Sequence, residues 1–210
     1  MIRVLIADDH PLVRRGLAHV LADHPDIIVV GEVESADVVV QAVNTEKPDV
    51  LLLDVNMPGV GFLHLLEQLR DRESRLRTLV VSGHEEALYA RRALRAGAAG
   101  YISKARAASD LVEALRAVAS GGRYVSPELA QALAADLATG SRPLHETLSS
   151  REYEIMLLLS AGHTATHVAE ALHISVKTVS THRTNLLEKM QLTTNAELAR
   201  YAQAHGLTAA

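Results

Sequence analysis

The stretch VLLLDVNMPG, Val50 to Gly59, decides the fold. Its first four residues are all apolar, which is typical of a strand that a parallel sheet buries on both faces. The run ends in one carboxylate, Asp54, and a Met-Pro-Gly turn follows at once. In open α/β sheets the ligand site lies just beyond the carboxyl ends of the strands. The stretch therefore predicts a central strand that places Asp54 at a ligand-binding site beyond the end of the sheet.

Four further apolar runs flank this strand and alternate with helical patterns. The predicted strands are 2–7, 27–30, 78–81 and 100–103, with Gly31 closing the second. The predicted helices begin at Pro11, at Ser35 (as a cap), near Leu63, at Ala87 and at Ser109, and their apolar positions, such as Leu12, Leu17, Val20 and Leu21, recur at helical spacing. Five strands alternating with five helices predict a doubly wound parallel sheet with right-handed crossovers.

The chain is predicted to have two domains joined by a linker: 1–120, a partly helical linker over 121–146, and 147–210. The linker contains an Ala-rich helical stretch, 128–138, which the sequence TGSRP at 139–143 interrupts. Four helices are predicted after it. Their expected caps are Ser149, which forms a capping box with Glu152, then Thr164, Ser175 and Asn195. The middle two helices and their tight turn form a helix-turn-helix pattern.

Composition limits the classes of function. The chain has 210 residues, no cysteine and a net charge of −4, so thiol chemistry is excluded and bulk charge does not indicate a nucleic-acid partner. Aromatic residues make up 3%, which disfavours base-stacking modules. The N-terminus lacks the pattern of a signal peptide, and no apolar run approaches about 20 residues, the length of a membrane span. We expect a cytoplasmic protein without a membrane partner.

Polar residues follow the predicted strands on what would be one rim of the sheet: Asp8, Asp9, Asp54, Ser82 and Lys104. Converging carboxylates raise one another's pKa unless a cation compensates them, and Mg²⁺ prefers oxygen ligands beside phosphate groups. Asp54 is then a candidate nucleophile, because aspartyl phosphates are a known type of covalent intermediate. We interpret His10 and His84 as rim residues rather than ligands.

The first 120 residues resemble a response-regulator receiver domain, which has a flavodoxin-like fold. The matching segments are IADDHPLVRRGL, LLLDVNMPG, VVSG and AGYISK. The resemblance implies that Asp54 accepts a phosphoryl group from a histidine kinase and that Lys104 contacts this group. It implies Mg²⁺ held by Asp8 or Asp9, by Asp54 and by the backbone carbonyl of Asn56. It also implies that Ser82 and Tyr101 form the switch pair, in which the hydroxyl moves inward and the ring follows.

The sequence departs from the receiver pattern after the Met-Pro turn. Family members usually carry an acidic or amide residue and then glycine, where this chain has Gly61 and Phe62. We expect the ring to reshape the loop after the third strand. Lys104 is followed by Ala105 instead of the frequent proline, which disfavours a cis peptide bond there.

In the last domain, one helix has local positive charge and polar groups that suit DNA binding. Residues 145–210 carry five Lys/Arg and six Asp/Glu, so the domain is not basic as a whole. Positive charge is local, because the third helix has a net charge of +2 from Lys177, Arg183 and Lys189 against Glu188. Short polar groups on that helix suit phosphates and base edges.

Residues 148–192 are similar to the LuxR-type helix-turn-helix of the NarL/FixJ regulators, most specifically in the segment from Ser175 to Asn185. The resemblance implies an all-α four-helix domain whose third helix enters the major groove of double-stranded DNA. Val179 and Leu186 should face the core, and the fourth helix should serve the active homodimer. By position, the DNA-facing residues are Lys177, Thr178, Ser180, Thr181, Arg183 and Thr184, with Lys189 as a further candidate.

The leading hypothesis is a two-component transcription regulator whose only chemistry is gain and loss of phosphate at Asp54. One alternative is a Mg²⁺-dependent phosphatase with an aspartyl nucleophile, but such enzymes typically place a second acid where this chain has Asn56. Another is a DNA-binding protein with a silent receiver, for which Phe62 is the only support. His163 and His167 faintly resemble a zinc helix but lack its acid.

Overall fold

The computed structural model describes residues 1–72, 75–83, 86–131, 134 and 143–207. Contacts divide the chain into two compact units, Met1–Ala130 and Gln131–Ala210. Within the described residues, none of the helices combines the length and the apolar character that crossing a membrane requires.

The first unit is a five-stranded sheet in which every neighbouring pair is parallel, with the strand order β2-β1-β3-β4-β5. This order confirms the predicted doubly wound sheet, and β3 is its middle strand with all five residues buried. The strands are β1 Ile2–Ala7, β2 Ile27–Val33, β3 Val50–Asp54, β4 Arg77–Ser82 and β5 Gly100–Ser103. The helices are α1 Pro11–Ala22, α2 Ala36–Glu46, α3 Phe62–Arg72, α4 Glu86–Ala96 and α5 Ala107–Ala119.

Two predicted bounds in this unit, the end of β2 and the start of α5, were wrong by two residues or more. Strand β2 continues through Gly31 to Val33, because the pairing with β1 shifts register after Val4 and the chain resumes beyond the shift. An added Cβ at Gly31 would lie 3.1 Å from a Leu5 methyl, so glycine here permits close approach. Leu12, one of the apolar residues at helical spacing in α1, is 82% exposed and lies outside the core. Helix α5 begins two residues before Ser109.

The sheet unit continues past the end of α5. The backbone of Tyr124 donates to the carbonyl of Ala99 and accepts from the amide of Tyr101, at 3.1 and 3.0 Å. A Cβ on Gly100 would lie 2.7 Å from the Tyr124 carbonyl oxygen, so this approach requires glycine. Residues 127–131 are helical, as the Ala-rich pattern predicts, but most of the predicted stretch 128–138 and of the break at 139–143 lies outside the described residues.

From residue 143 onward the second unit has a 3-10 turn, Leu144–Thr147, followed by four helices: α6 Ser150–Ser160, α7 Ala165–Ala171, α8 Val176–Lys189 and α9 Asn195–Ala204. The predicted caps Ser149, Thr164 and Ser175 are confirmed, and Ser149 and Glu152 form the predicted capping box. The cap predicted at Asn195 was wrong. Thr194 caps α9 in a second capping box with Glu197, because its hydroxyl accepts from the Glu197 amide three residues later.

Candidate functional site

The carboxyl ends of β1, β3 and β5 bring two buried carboxylates and one ammonium group together. Asp8 and Asp54 are 1% and 2% exposed. Lys104 Nζ lies 2.7 Å from Asp8 Oδ2 and 3.0 Å from Asp54 Oδ2. The amide of Val55 donates to the other oxygen of Asp54, Oδ1, at 2.8 Å. The predicted convergence of these residues on one rim is thus present in the structure.

The pocket changes the protonation chemistry of its members. Burial raises the pKa of Asp54 above the usual carboxyl value, the nearby Asp8 charge adds to this, and the Lys104 ammonium opposes it. For Lys104, burial works against the charged form, but hydrogen bonds to Asp8 and Asp54 outweigh it and raise the pKa of the amine. The raised pKa of Lys104 favours its charged form, and the raised pKa of Asp54 makes its carboxylate more basic, which suits an oxygen nucleophile.

The same rim can hold a divalent cation. Asp8, Asp9, His10 and Asp54 each offer one ligand atom, and these atoms all lie within 4.8 Å of one another. Three carboxylates fit the oxygen preference of Mg²⁺. Asn56 lies exposed in the bend directly after β3, and the role of its carbonyl as a ligand stays a prediction. His10 was interpreted as a rim residue, and the signal that places it in the cluster is its position directly after the two acids. His84 lies outside the described residues.

The two residues predicted to form the switch pair are both buried. Ser82 ends β4 and Tyr101 lies in β5, and each is 0% exposed. The amide of Lys104 donates to the Ser82 carbonyl at 2.7 Å, which joins the end of β4 to the loop that carries the lysine. The predicted movement of the Ser82 hydroxyl and of the Tyr101 ring stays a prediction.

The loop between β3 and α3 is anchored on the start of α2, a contact that sequence reasoning missed. The amide of Ala36 and the hydroxyl of Ser35 donate to the Pro58 carbonyl, at 2.9 and 3.3 Å. Asp37 Oδ1 accepts from the amide of Val60 at 3.1 Å. Gly59 has φ +112°, and a Cβ there would meet the Asp37 carboxylate at 2.7 Å. These contacts attach the loop that follows Asp54 to the N-terminal end of α2.

The unusual Phe62 is part of the core. Its side chain is 5% exposed, and its ring packs edge-to-face on the ring of Tyr89 in α4, with centroids 5.4 Å apart and an interplanar angle of 74°. The ring joins the first residue of α3 to α4, and its expected effect on the loop after the third strand stays a prediction.

Helix α8 presents most of the predicted DNA-facing residues to solvent. Lys177, Ser180, Thr181 and Thr184 are exposed, whereas Thr178 and Arg183 are half-buried. The hydroxyls of Ser180, Thr181 and Thr184 each donate to the carbonyl four residues earlier, at 3.0 to 3.1 Å. The proton of each hydroxyl is therefore used within the helix, and its oxygen remains available as an acceptor. Val179 and Leu186 are fully buried, as predicted.

Two cations of α8 already have partners within the unit. Arg183 Nε donates to Asn195 Oδ1 of α9 at 2.7 Å, which fixes the direction of the guanidinium. Lys189 Nζ lies 2.9 and 2.7 Å from the two oxygens of Glu152, the residue that forms the capping box of α6 with Ser149. Burial works to raise the pKa of Glu152, but the bonds from Lys189 and Ser149 outweigh it and lower this pKa. The contact gives Lys189 a structural role inside the unit, which the sequence did not indicate.

A receiver-type sheet with an acidic pocket, joined in one chain to a helix-turn-helix unit, defines the class of response regulators with a DNA-binding output domain. Residues 4–116 match the family model described as response regulator receiver domain. Residues 146–202 match the model described as bacterial regulatory proteins, luxR family. The chain belongs to the NarL/FixJ family of two-component response regulators.

Relatives of known name match along nearly the full chain. The chain is 38% identical to response regulator GacA of Pseudomonas aeruginosa over 99% of its own length and 98% of that protein. It is 35% identical to response regulator UvrY of Escherichia coli K12, over 99% and 96% of the two chains. A structure of Salmonella typhimurium RcsB matches with a TM-score of 0.74 and 26% identity, over 99% and 98%. A structure of two RcsB dimers bound to two parallel DNAs matches with a TM-score of 0.62 and 25% identity, over 97% and 98%.

Proposed function

We propose that phosphorylation of Asp54 controls DNA binding by helix α8. The main support for the proposal is the position of the Lys104 ammonium, which lies within 3.0 Å of both buried carboxylates, Asp8 and Asp54. A phosphoryl group on Asp54 would compete for this cation. Lys104 would then exchange a carboxylate partner for a phosphoryl oxygen, and the pocket would reorganise around the new charge.

The only chemistry in the proposal is the transfer of a phosphoryl group to Asp54. One oxygen of the Asp54 carboxylate forms a bond to phosphorus, and the bond from phosphorus to the kinase histidine breaks. The electron pair of that bond stays on the imidazole nitrogen. Lys104 is placed to stabilise charge on the phosphoryl oxygens, as a fixed cation near the reacting atoms. Mg²⁺ held by Asp8, Asp9, Asp54 and the Asn56 carbonyl would neutralise charge that develops on the transferring group.

The output of the switch would be the affinity of helix α8 for the major groove. Lys177 and Arg183 supply charged donors for phosphates and guanine edges. Ser180, Thr181 and Thr184 use their protons on the helix backbone, so they would accept from the amino groups of adenine or cytosine. Thr178 would approach the phosphates at the start of the helix. The RcsB relative bound to DNA as dimers supports this mode of action.

The organisation that we propose keeps a receiver at 1–120, a linker at 121–146 and a DNA-binding domain at 147–210. A sensor histidine kinase would supply the phosphoryl group. The active form would be a homodimer that binds two operator half-sites. Because its target is the chromosome, the protein would act in the cytoplasm.

The test is the affinity of the full chain for an operator fragment with and without Mg²⁺ and beryllofluoride, measured against random DNA as competitor. We expect tighter binding with beryllofluoride, and no change for Asp54→Ala, which lacks the acceptor oxygen. Asp23→Ala is the matched control, because Asp23 is an exposed carboxylate at the end of α1. Equal affinities with and without beryllofluoride would contradict the proposal and favour the silent-receiver alternative.

A further inference from the structure

We propose that Val176, the first residue of α8, contacts the C5-methyl group of a thymine in the operator and thereby selects this base. The inference rests on the proposed function, because it assigns a base contact to the helix that would enter the major groove. It concerns a residue that neither the resemblance nor the charge of the helix places among the DNA-facing residues.

Val176 is the apolar side chain of α8 that the core does not enclose. It is 45% exposed, whereas Val179, Leu186 and Leu187 of the same helix are at most 6% exposed. A large part of the Val176 surface is therefore free to contact a partner outside the unit.

Hydrogen bonds fix the helical turn that carries Val176. The Ser175 hydroxyl caps the helix by accepting from the amide of Thr178 at 3.0 Å. The carbonyl of Val176 accepts from the hydroxyl of Ser180 at 3.0 Å. A β-branched side chain on a helix has one strongly preferred χ1 rotamer. Val176 would therefore lose little conformational freedom when a base packs against it.

Val176 begins a row of side chains along the exposed side of α8. Residues four apart on a helix are neighbours, so Val176 is followed by Ser180 and then by Thr184, which are both exposed. Their two hydroxyls donate to the helix backbone, at 3.0 and 3.1 Å, and valine has no donor. The row thus combines one apolar group with two acceptors and offers no proton to a base.

Thymine is the base that fits the apolar end of this row. Its C5-methyl is the one apolar group among those that base edges present in the major groove. Any other base would place an amino group, a carbonyl or a ring nitrogen against the valine methyls, where it would lose water without gaining a hydrogen bond. Recognition helices contact base edges with their N-terminal residues, which is where Val176 lies.

The row also predicts a neighbour of this thymine. Four residues of helix span about 6 Å, and base pairs are stacked about 3.4 Å apart. Ser180 should therefore lie about two base pairs from the thymine. Its oxygen would accept there from the amino group of an adenine or a cytosine.

The experiment enriches operator fragments from a random duplex library with the full chain in Mg²⁺ and beryllofluoride. Each thymine of one half-site is then replaced in turn by deoxyuridine, which lacks only the C5-methyl group, and fluorescence anisotropy gives the affinities. We expect one replacement to weaken binding by the native protein about fourfold, as removal of one methyl group from an apolar contact requires. Val176→Ala should bind that thymine fragment more weakly and should not distinguish it from its deoxyuridine form.

Val38→Ala is the matched control, because Val38 is a valine of similar exposure, 43%, in α2 of the receiver. It should keep the fourfold preference for thymine. Alanine favours helices more than valine does, so Val176→Ala should fold, which circular dichroism checks. The replacement series with the native protein requires no variant and tests the thymine contact by itself.

Three results would overturn the role of Val176 while leaving sequence-specific binding by α8 intact. They are an enriched half-site without thymine, equal affinity for all deoxyuridine fragments, and a loss that persists at every sensitive position in Val176→Ala. Failure to enrich any sequence, with or without beryllofluoride, would overturn this inference and the proposed function together.

Discussion

Two lysines of α8 illustrate how a similar sequence context can lead to different roles. Lys177 is exposed in the first turn of the helix, where its ammonium group can reach a phosphate. Lys189 lies in the last turn, where both oxygens of Glu152 bind it. Because Glu152 is 4% exposed, removing its cation would leave a buried charge with fewer partners. The two residues should therefore respond differently to neutralisation.

We predict that Lys177→Met weakens binding to operator and random DNA alike and lowers the slope of log K against log salt by about 1, as loss of one phosphate contact requires. Lys189→Met should leave that slope unchanged and lower the free energy of unfolding by about 2 kcal/mol. Fluorescence anisotropy over a salt series and urea unfolding measure the two effects. A lower slope for Lys189→Met would return this residue to the DNA-contacting set.

The capping box of α6 joins the start of one helix to the end of another. The Ser149 amide donates to Glu152 at 2.8 Å, and Lys189 of α8 binds the same carboxylate. The bonds hold the pKa of Glu152 below its ordinary value of 4.5. A carboxyl group whose pKa is lower in the folded state stabilises the fold above the unfolded pKa and loses this effect as pH falls through the folded value.

Glu152→Gln should therefore cost about 2 kcal/mol of unfolding free energy at pH 7, with a smaller difference from the native protein as pH falls below about 4.5. The measurement is urea unfolding of the full chain at several pH values, followed through NMR signals of α6. Glu188→Gln is the matched control, since Glu188 is exposed beside Lys189. If Glu152→Gln lowered the unfolding free energy by the same amount down to pH 3, the charge of Glu152 would contribute nothing to stability.

The Phe62 and Tyr89 rings join helices α3 and α4, and Phe62 stands where members of the family usually carry glycine. Truncating a buried phenylalanine removes its packing and leaves a cavity. We predict that Phe62→Ala lowers the unfolding free energy of the receiver by about 3 kcal/mol. A double-mutant cycle with Tyr89→Leu should give a coupling energy of about 1 kcal/mol, measured by urea unfolding. Additive losses would indicate that the rings pack independently.

The molecule as a whole consists of a receiver unit and a DNA-binding unit, and the proposed action requires two copies on one duplex. A symmetric dimer places its two recognition helices about one helical turn apart, because both must enter the major groove from the same side of the duplex. The spacing of operator half-sites is therefore a property of the dimer and not of either unit alone.

Inserting about 5 bp between half-sites that are roughly 10 bp apart should turn one half-site to the opposite side of the duplex. We expect the affinity of the beryllofluoride-treated protein to fall at least about tenfold, toward that for a single half-site, because the avidity of the dimer is lost. Gel-shift titrations of three DNA fragments measure these affinities: one with the native spacing, one with the insertion and one with a single half-site. Equal binding to both spacings would indicate that the subunits bind DNA independently.

The sequence by itself determined the alternation of strands and helices, the position of Asp54 at the end of the middle strand and three of the four helix caps predicted in the second unit. Each of these follows from local patterns: unbroken apolar runs, polar residues at strand ends, and side chains that bond to nearby amides. Cap assignment failed at Asn195 because adjacent Thr194 has the same local capacity and also has Glu197 three residues on.

Only the tertiary structure decided which partner each charged group has. The sequence could not place Lys189 on Glu152, 37 residues away, nor Asp37 on the loop at Val60. It also left His10 outside the ligand cluster and did not find Tyr89 against Phe62. Most of these contacts join segments that are distant in the chain, and the His10 contact depends on the direction of a side chain within a loop. Their distances follow from how the packed elements lie in space, which no local sequence pattern records.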